Sequence, residues 1–277
     1  MKNLTNGLIM PLLCLSAIWL TACEKPLMSE EEEVSDDPVE VTEDTEGGLV
    51  MYVEGLRSHC TRLNYVVFQD GQKLKTYTQK TGDTGFGQKS LVLTPGTYQL
   101  LLLAYDGSSN PTISSLEKIT FGNKNPGMSD VFYAYQEVTV GEEPVVLHIP
   151  LHNAAATFQL RTTDGVPEGV SRIRFYYTGG SSTLSALTGK GNANSRQEVI
   201  FEISPEQEGL PLLMELFSFP LEGKTVKMQI TVSAGDQVLL ERQYDDISLI
   251  SGSLLRYEGP FFSGQGGEMQ KIYLTPF

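Results

Sequence analysis

The chain is a succession of short period-two runs cut by turn residues, a pattern that leaves almost no room for helix. Residues 49–53 open a strand, and residues 63–68 form a second. Asp70-Gly71 supplies the positive-φ pair of a tight hairpin into residues 73–78. Residues 91–93 lead to Thr94-Pro95-Gly96-Thr97, a turn with Pro at its second position and Gly at its third. The run 98–105 is almost wholly apolar and reads as a central strand. Runs at 131–135, 138–140 and 145–149 follow.

Pro150 interrupts this pattern and a second set begins. Residues 154–160 are expected to pair with 173–177 across the Asp164-Gly165-Val166-Pro167 turn. Further runs lie at 199–203, 226–232 and 238–244, the last two joined at Gly235-Asp236, and at 254–257 and 272–274. Residues 212–219 sit between Pro211 and Pro220, and that length favours a strand over a helix. With 27 Gly, 14 Pro and only 19% charged residues, the chain reads as all-β. Two consecutive β-sandwich domains of about 100 residues each account for it. The boundary is placed near Pro150–Asn153, giving an N-terminal sandwich over 47–152 and a C-terminal one over 153–277.

The first residues read as an address. Lys2 precedes an apolar stretch over 8–20, which contains Cys14 and is broken once by Pro11. A helix over residues 8–22 would be about 22 Å long, short of the bilayer core of about 30 Å, so a signal peptide over 1–22 is expected. Leu20-Thr21-Ala22-Cys23 resembles the bacterial lipobox, with cleavage between Ala22 and Cys23. The Cys23 sulfur would take a diacylglycerol and the freed amine a further acyl chain such as palmitate. Two or three chains hold a protein stably at a membrane, whereas one does so only marginally. Between Glu24 and Glu46 stand eleven acids against one base, Lys25, so most of the net charge of −14 belongs to a solvated tether over 23–46. Acids soon after a lipidated Cys resemble the export tag of surface lipoproteins in Bacteroidetes.

Templates for chemistry find little to hold. The acidic balance repels phosphate backbones, which argues against a nucleic-acid partner. Three cysteines, two of them at or before position 23, make no disulfide scaffold, and Cys60 reads as a buried small hydrophobe. The histidines are His59, His148 and His152. The last two are four apart, a ligand spacing on a helix, but Pro150 lies between them in an extended context, so ordinary sheet or loop histidines are expected. Residues 82–90 approach a phosphate-binding loop, with Gln88 inserted before Lys89 and no helix following, and read as a hairpin loop. Asp245-Asp246 is too little for calcium. Tyr133, Tyr135, Tyr176 and Tyr177 read as sheet packing rather than sugar platforms. No catalytic, metal or cofactor residue is assigned, and an enzyme is not expected.

Three local features carry a family resemblance. Phe68-Gln69-Asp70-Gly71-Gln72-Lys73-Leu74, followed by Leu93-Thr94-Pro95-Gly96-Thr97-Tyr98-Gln99-Leu100, is similar to a first-domain pattern of a hairpin followed by a strand opening on L-x-x-G-x-Y. Ile149-Pro150-Leu151-His152-Asn153-Ala154-Ala155-Ala156 looks like a domain crossover, with His152 where an Arg is common. Residues 252–262 resemble a late strand ending in an aromatic pair, here Phe261-Phe262. Together they resemble the FimB-like fimbrial anchor and fimbrillin-type lipoproteins of Bacteroidetes. One departure is Ala104-Tyr105-Asp106, where that family often has Trp-x-Asn. The resemblance implies transthyretin-like sandwiches and a non-enzymatic subunit of a fimbrium at the outer membrane, acting in cell adhesion. Its partners would be fimbrial shaft or accessory subunits, joined by β-strand exchange. Shaft subunits of such families are activated by a cut after an Arg near the first strand. No Arg lies between Cys23 and Leu56, and Arg57 and Arg62 follow the first strand, which favours a pilus anchor or accessory role. The alternative is a surface glycan-binding lipoprotein of a nutrient-uptake system.

Replacing the acylated position tests the address. Cys23→Ala should abolish incorporation of labelled palmitate and move the protein out of the membrane fraction. Full labelling and full membrane retention in that variant would refute a lipobox.

Overall fold

The computed structural model describes residues 48–124, 127–263 and 269–274. The expected signal peptide over 1–22, its cleavage point at Ala22 and Cys23 and the expected acidic tether over 23–46 lie outside the described residues. The first half carries β1 (Gly48–Glu54), β2 (Arg62–Gln69), β3 (Gln72–Lys80), β4 (Gln88–Val92) and β5 (Gly96–Tyr105). It continues through β6 (Thr112–Ser115), β7 (Lys118–Thr120), β8 (Val131–Val140), β9 (Val145–Pro150) and β10 (His152–Asn153). Then come β11 (Ala156–Thr162), β12 (Arg172–Ser181), β13 (Thr183–Ser185), β14 (Lys190–Gly191) and β15 (Ser195–Glu202). The last strands are β16 (Leu213–Pro220), β17 (Val226–Ala234), β18 (Gln237–Ile247), β19 (Leu254–Gly259) and β20 (Gln270–Leu274). The only helical piece among the described residues is a 3₁₀ turn over Pro205–Gln207, so the all-β class holds. No helix among the described residues is long and apolar enough to cross a membrane.

Two sheets stack in the first half. One has the order β4-β1-β9, the other β10-β8-β5-β2-β3. β1 is the middle strand of the smaller sheet, antiparallel to β4 and parallel to β9. Alternation explains its placement: Leu49 and Met51 are wholly buried, while Tyr52 points to solvent. Leu63, Tyr65 and Val67 of β2, with Leu100 and Leu102 of β5, meet that inward face. The intervening residues Val66, Phe68, Leu101 and Leu103 are equally buried, but in a separate cluster on the opposite face. β5 is thus a central strand covered on both sides, as its apolar run requires. Asp70 and Gly71 adopt φ of 51° and 74° at the β2–β3 tip, the geometry of the predicted hairpin.

The second half is a larger sheet following β18-β17-β12-β16-β11-β19-β20, with β15 also paired to β12. It turns a corner where Gly180 and Ser181 pair with Pro220 and Phe219. The two arms then face each other across Phe158, Leu160, Leu216 and Tyr257 on one side and Ile173, Phe175, Met228 and Ile230 on the other. The corner demands glycine: Gly179 has φ of 89°, and a Cβ there would collide with the Thr225 carbonyl oxygen. The Ser218 hydroxyl is buried beside it, accepting from Ser181 N–H at 3.1 Å and from Gln197 Nε2 at 2.8 Å.

Two expectations are corrected, and one sheet is new. β11 does not pair with β12; it lies between β16, antiparallel, and β19, parallel. Sequence neighbours separated by a turn need not pair when each belongs to a different arm of a folded sheet. The loop after β3 is not a hairpin, because β3 and β4 belong to different sheets and the loop carries the chain from one to the other. Gln79 fixes that loop, donating to the carbonyls of Gly85 at 3.2 Å and Gln88 at 2.8 Å and accepting from Gly87 N–H at 3.1 Å. Finally, β6, β7, β13 and β14 were not anticipated. They form one four-stranded sheet in the order β14-β13-β7-β6, drawing two strands from each side of Pro150.

Asp164, just beyond β11, accepts backbone N–H bonds from Phe261, Phe262 and Ser263, each at 2.7 Å. Partial burial works against its charge, but the three amides prevail and hold the carboxyl below its ordinary pKa. Such a group stabilises the fold above its unfolded pKa and loses that contribution as pH falls through the folded value. Asp164→Ala should cost about 1–2 kcal/mol at neutral pH, allowing for its exposure. The gap from wild type should close below about pH 4, as urea melts across the acid range would read out.

Candidate functional site

The three histidines do not converge. His148 stands on the solvent face of the smaller sheet, stacked on Tyr52 at 5.1 Å and 17°, with Nδ1 3.2 Å from Glu54 Oε1. His152 lies on β10, in the other sheet, 6.4 Å from the Tyr133 ring. Their four-residue spacing therefore brings no shared ligand position. His59 Nε2 sits 3.7 Å from Asp130 Oδ2, beside Phe132. Burial pushes the Asp130 carboxyl up, opposed by Asn153 and His59. Cys60 is 1% exposed, and burial with the nearby Asp130 charge raises its thiol to about 11, so it packs as a neutral hydrophobe. Among the described residues no three His, Cys, Asp or Glu side chains group as metal ligands. Tyr177 is buried, Tyr133 and Tyr135 pack on the cluster behind β5, and Arg174 covers Tyr176 at 5.2 Å.

Sheet edges offer more. β3 ends the five-stranded sheet, pairs only with β2, and its first five residues are exposed. It carries Lys73, Lys75 and Lys80 and no acid, and Lys75 and Lys89 approach the Tyr77 ring to 4.9 and 4.6 Å. β18 ends the larger sheet with Glu241, Asp245 and Asp246 against a single Arg242. Each edge presents a row of backbone donors and acceptors, and lysine or acid side chains decide which strands approach. The two edges carry opposite signs.

A third feature escapes the sequence. Residues 106–110 are exposed, yet they are held at many points. Arg62 donates through Nε to the Gly107 carbonyl at 2.7 Å, through Nη1 to Asn110 Oδ1 at 3.1 Å and through Nη2 to the Ser108 carbonyl. Tyr105 Oη lies 2.8 Å from Asn64 Oδ1 and 3.0 Å from Asn110 Oδ1, its one proton shared between the two acceptors. Thr61 Oγ1 donates to Asp106 Oδ1 at 2.6 Å. The loop borders a groove of about 570 Å³ whose far wall is formed by β15 and β16. Asp106-Gly107-Ser108-Ser109-Asn110-Pro111 is legible as a turn-forming segment. Its anchor, Arg62, lies more than forty residues earlier and carries no local signal.

Arg62→Ala should free those carbonyls to water. Amide exchange over residues 107–110 should rise at least about tenfold, with a stability loss of about 1–2 kcal/mol, measured by hydrogen exchange and melting.

The family model of fimbrillin-A associated anchor proteins Mfa1 and Mfa2 matches residues 35–253. Comparison with curated protein sequences gives no significant match. Among solved structures, a candidate adhesin from Bacteroides ovatus is 14% identical, with 72% of this chain and 82% of that chain covered at a TM-score of 0.53. Another candidate adhesin from Bacteroides ovatus is 14% identical over 83% of this chain and 92% of that chain, also at 0.53. The fimbrial anchor protein Mfa2 from Porphyromonas gingivalis is 10% identical over 82% and 95% of the two chains, at 0.46. The adhesin structures bear on the fold alone. The family model spans β1 to β18 and the crossover between the halves, the same stretch that carries the hairpin and crossover motifs. On that match, the chain belongs to the family of fimbrillin-A associated anchor proteins Mfa1 and Mfa2.

Proposed function

We propose that the protein is a non-enzymatic accessory subunit that tethers a fimbrium to the outer membrane, held there by acyl chains on Cys23. The observation that carries this reading is an anchor-family match over residues 35–253 on a chain whose Leu20-Thr21-Ala22-Cys23 motif precedes that match. Strand addition at a sheet edge is the joint the geometry supports best. β1 is locked as a middle strand by Leu49 and Met51, so an added strand meets no vacancy there. β3 is open along one side, and its lysines favour an acidic, extended segment from the neighbouring subunit while repelling basic ones. Main-chain bonds along such an edge share a pulling load, which a small polar contact does not.

Deleting the gene while keeping its fimbrial neighbours should release fimbriae into the medium or change their length. Supplying the Cys23→Ala protein should fail to restore cell-bound fimbriae, and supplying Lys73→Glu with Lys75→Glu should restore fewer than wild type. Normal cell-bound fimbriae in the deletion strain would overturn the reading.

A further inference from the structure

We propose that the groove beside residues 106–110 is a binding site for a neutral saccharide. Its volume of about 570 Å³ falls within the range of small-ligand sites, about 300–1,000 Å³. One wall is the loop, which presents the hydroxyls of Ser108 and Ser109 and the Asp106 carboxylate. The other carries Ile200, Leu216 and the half-buried rings of Phe201 and Phe217, with Glu215 beside them. Hydroxyls and a carboxylate facing aromatic rings suit a pyranose, whose hydroxyls both donate and accept while its C–H faces pack on rings.

The loop is prepared for such a ligand before it arrives. Arg62 and Tyr105 fix its carbonyls and Asn110, so ordering costs little on binding. The same bonds narrow the ligand class. Three of the five Arg62 N–H groups are held by the loop and Arg62 does not line the groove, so its charge is not offered to an anion there. The charged side chains of the lining are Asp106, Glu215 and Lys124, a mixture that favours neither a strong anion nor a strong cation. Two backbone groups on the far side are taken, which leaves fewer for an extended peptide. The Phe217 carbonyl accepts from Tyr177 Oη at 3.1 Å, and Glu198 N–H donates to the Asn123 carbonyl at 3.1 Å.

The test uses the purified full chain in mild detergent and four probes: maltohexaose, mannopentaose, xylohexaose and lacto-N-neotetraose. Calorimetry should find at least one of them bound with a dissociation constant at or below about 1 mM. Ser109→Trp, at an exposed loop position, should fill the groove and weaken that binding at least tenfold. Leu239→Trp, on the exposed β18 edge, should leave it unchanged, and matching melting curves establish that both variants fold. Absence of binding by all four probes overturns the site, and so does binding that is equal in wild type and Ser109→Trp. The anchoring reading is unaffected by either result, because it is read from fimbriae retained on cells.

Discussion

The structure depends on the double burial of the five-stranded sheet. β2 and β5 send Leu63, Tyr65, Val67, Leu100 and Leu102 to one face and Val66, Phe68, Leu101 and Leu103 to the other. Each fully buried side chain of this size is worth about 1.5–3 kcal/mol, and neither set can be left in water. The smaller sheet covers one face. The other face recruits residues from across Pro150, including Ala154, Ala155, Leu184 and Phe219. Union of the two halves is therefore a consequence of how apolar β2 and β5 are.

A strand that is apolar on both faces pays little penalty for a slip in register, because either face accepts its side chains. Polar groups settle the alignment instead. Asn64 is wholly buried in β2, with Nδ2 donating to Thr78 Oγ1 at 2.7 Å and Oδ1 accepting from Tyr105 Oη. A one-residue slip would strand that amide without partners, at about 1–3 kcal/mol for each buried group left unpaired. The pinning point of the register is also the root of the ordered loop, since Tyr105 and Asn110 belong to the same network.

The junction layer provides a continuous path for force between the halves. Thr183 and Leu184 pair with Thr120 and Ile119, so main-chain hydrogen bonds join the halves. An aromatic relay from Tyr105 through Phe121 to Phe219, at 5.6 and 5.5 Å, packs the same seam. At another point of it, a Cβ on Gly189 would overlap the Tyr133 hydroxyl, so the chain there passes as close as glycine permits. Load applied to either half reaches the other through paired strands, with no linker in series.

Some of this was open to reading from residues alone. β5 announces itself by its apolar run, the β2–β3 hairpin by Asp70-Gly71, and β16 by its bracketing prolines, because each signal is local. The Leu20-Thr21-Ala22-Cys23 motif, the acid-rich stretch and the anchor-family motifs are likewise short strings that need no fold to be recognised. Pairing is not local. β11 was matched with its neighbour in sequence, whereas it lies parallel to β19, and nothing in either strand names the other. β6 and β7 are four and three residues long, and the sheet they open is extended by β13 from beyond the crossover. The bond from Arg62 to its loop follows from the antiparallel register that sets Arg62 opposite Tyr105. The sequence by itself determined an all-β chain with the motifs of the fimbrillin-A associated anchor family, since class and motif are written in residue order. Only the tertiary structure decided which edges stay open, how the halves fuse and where a groove forms, because these arise from contacts between residues that the chain keeps far apart.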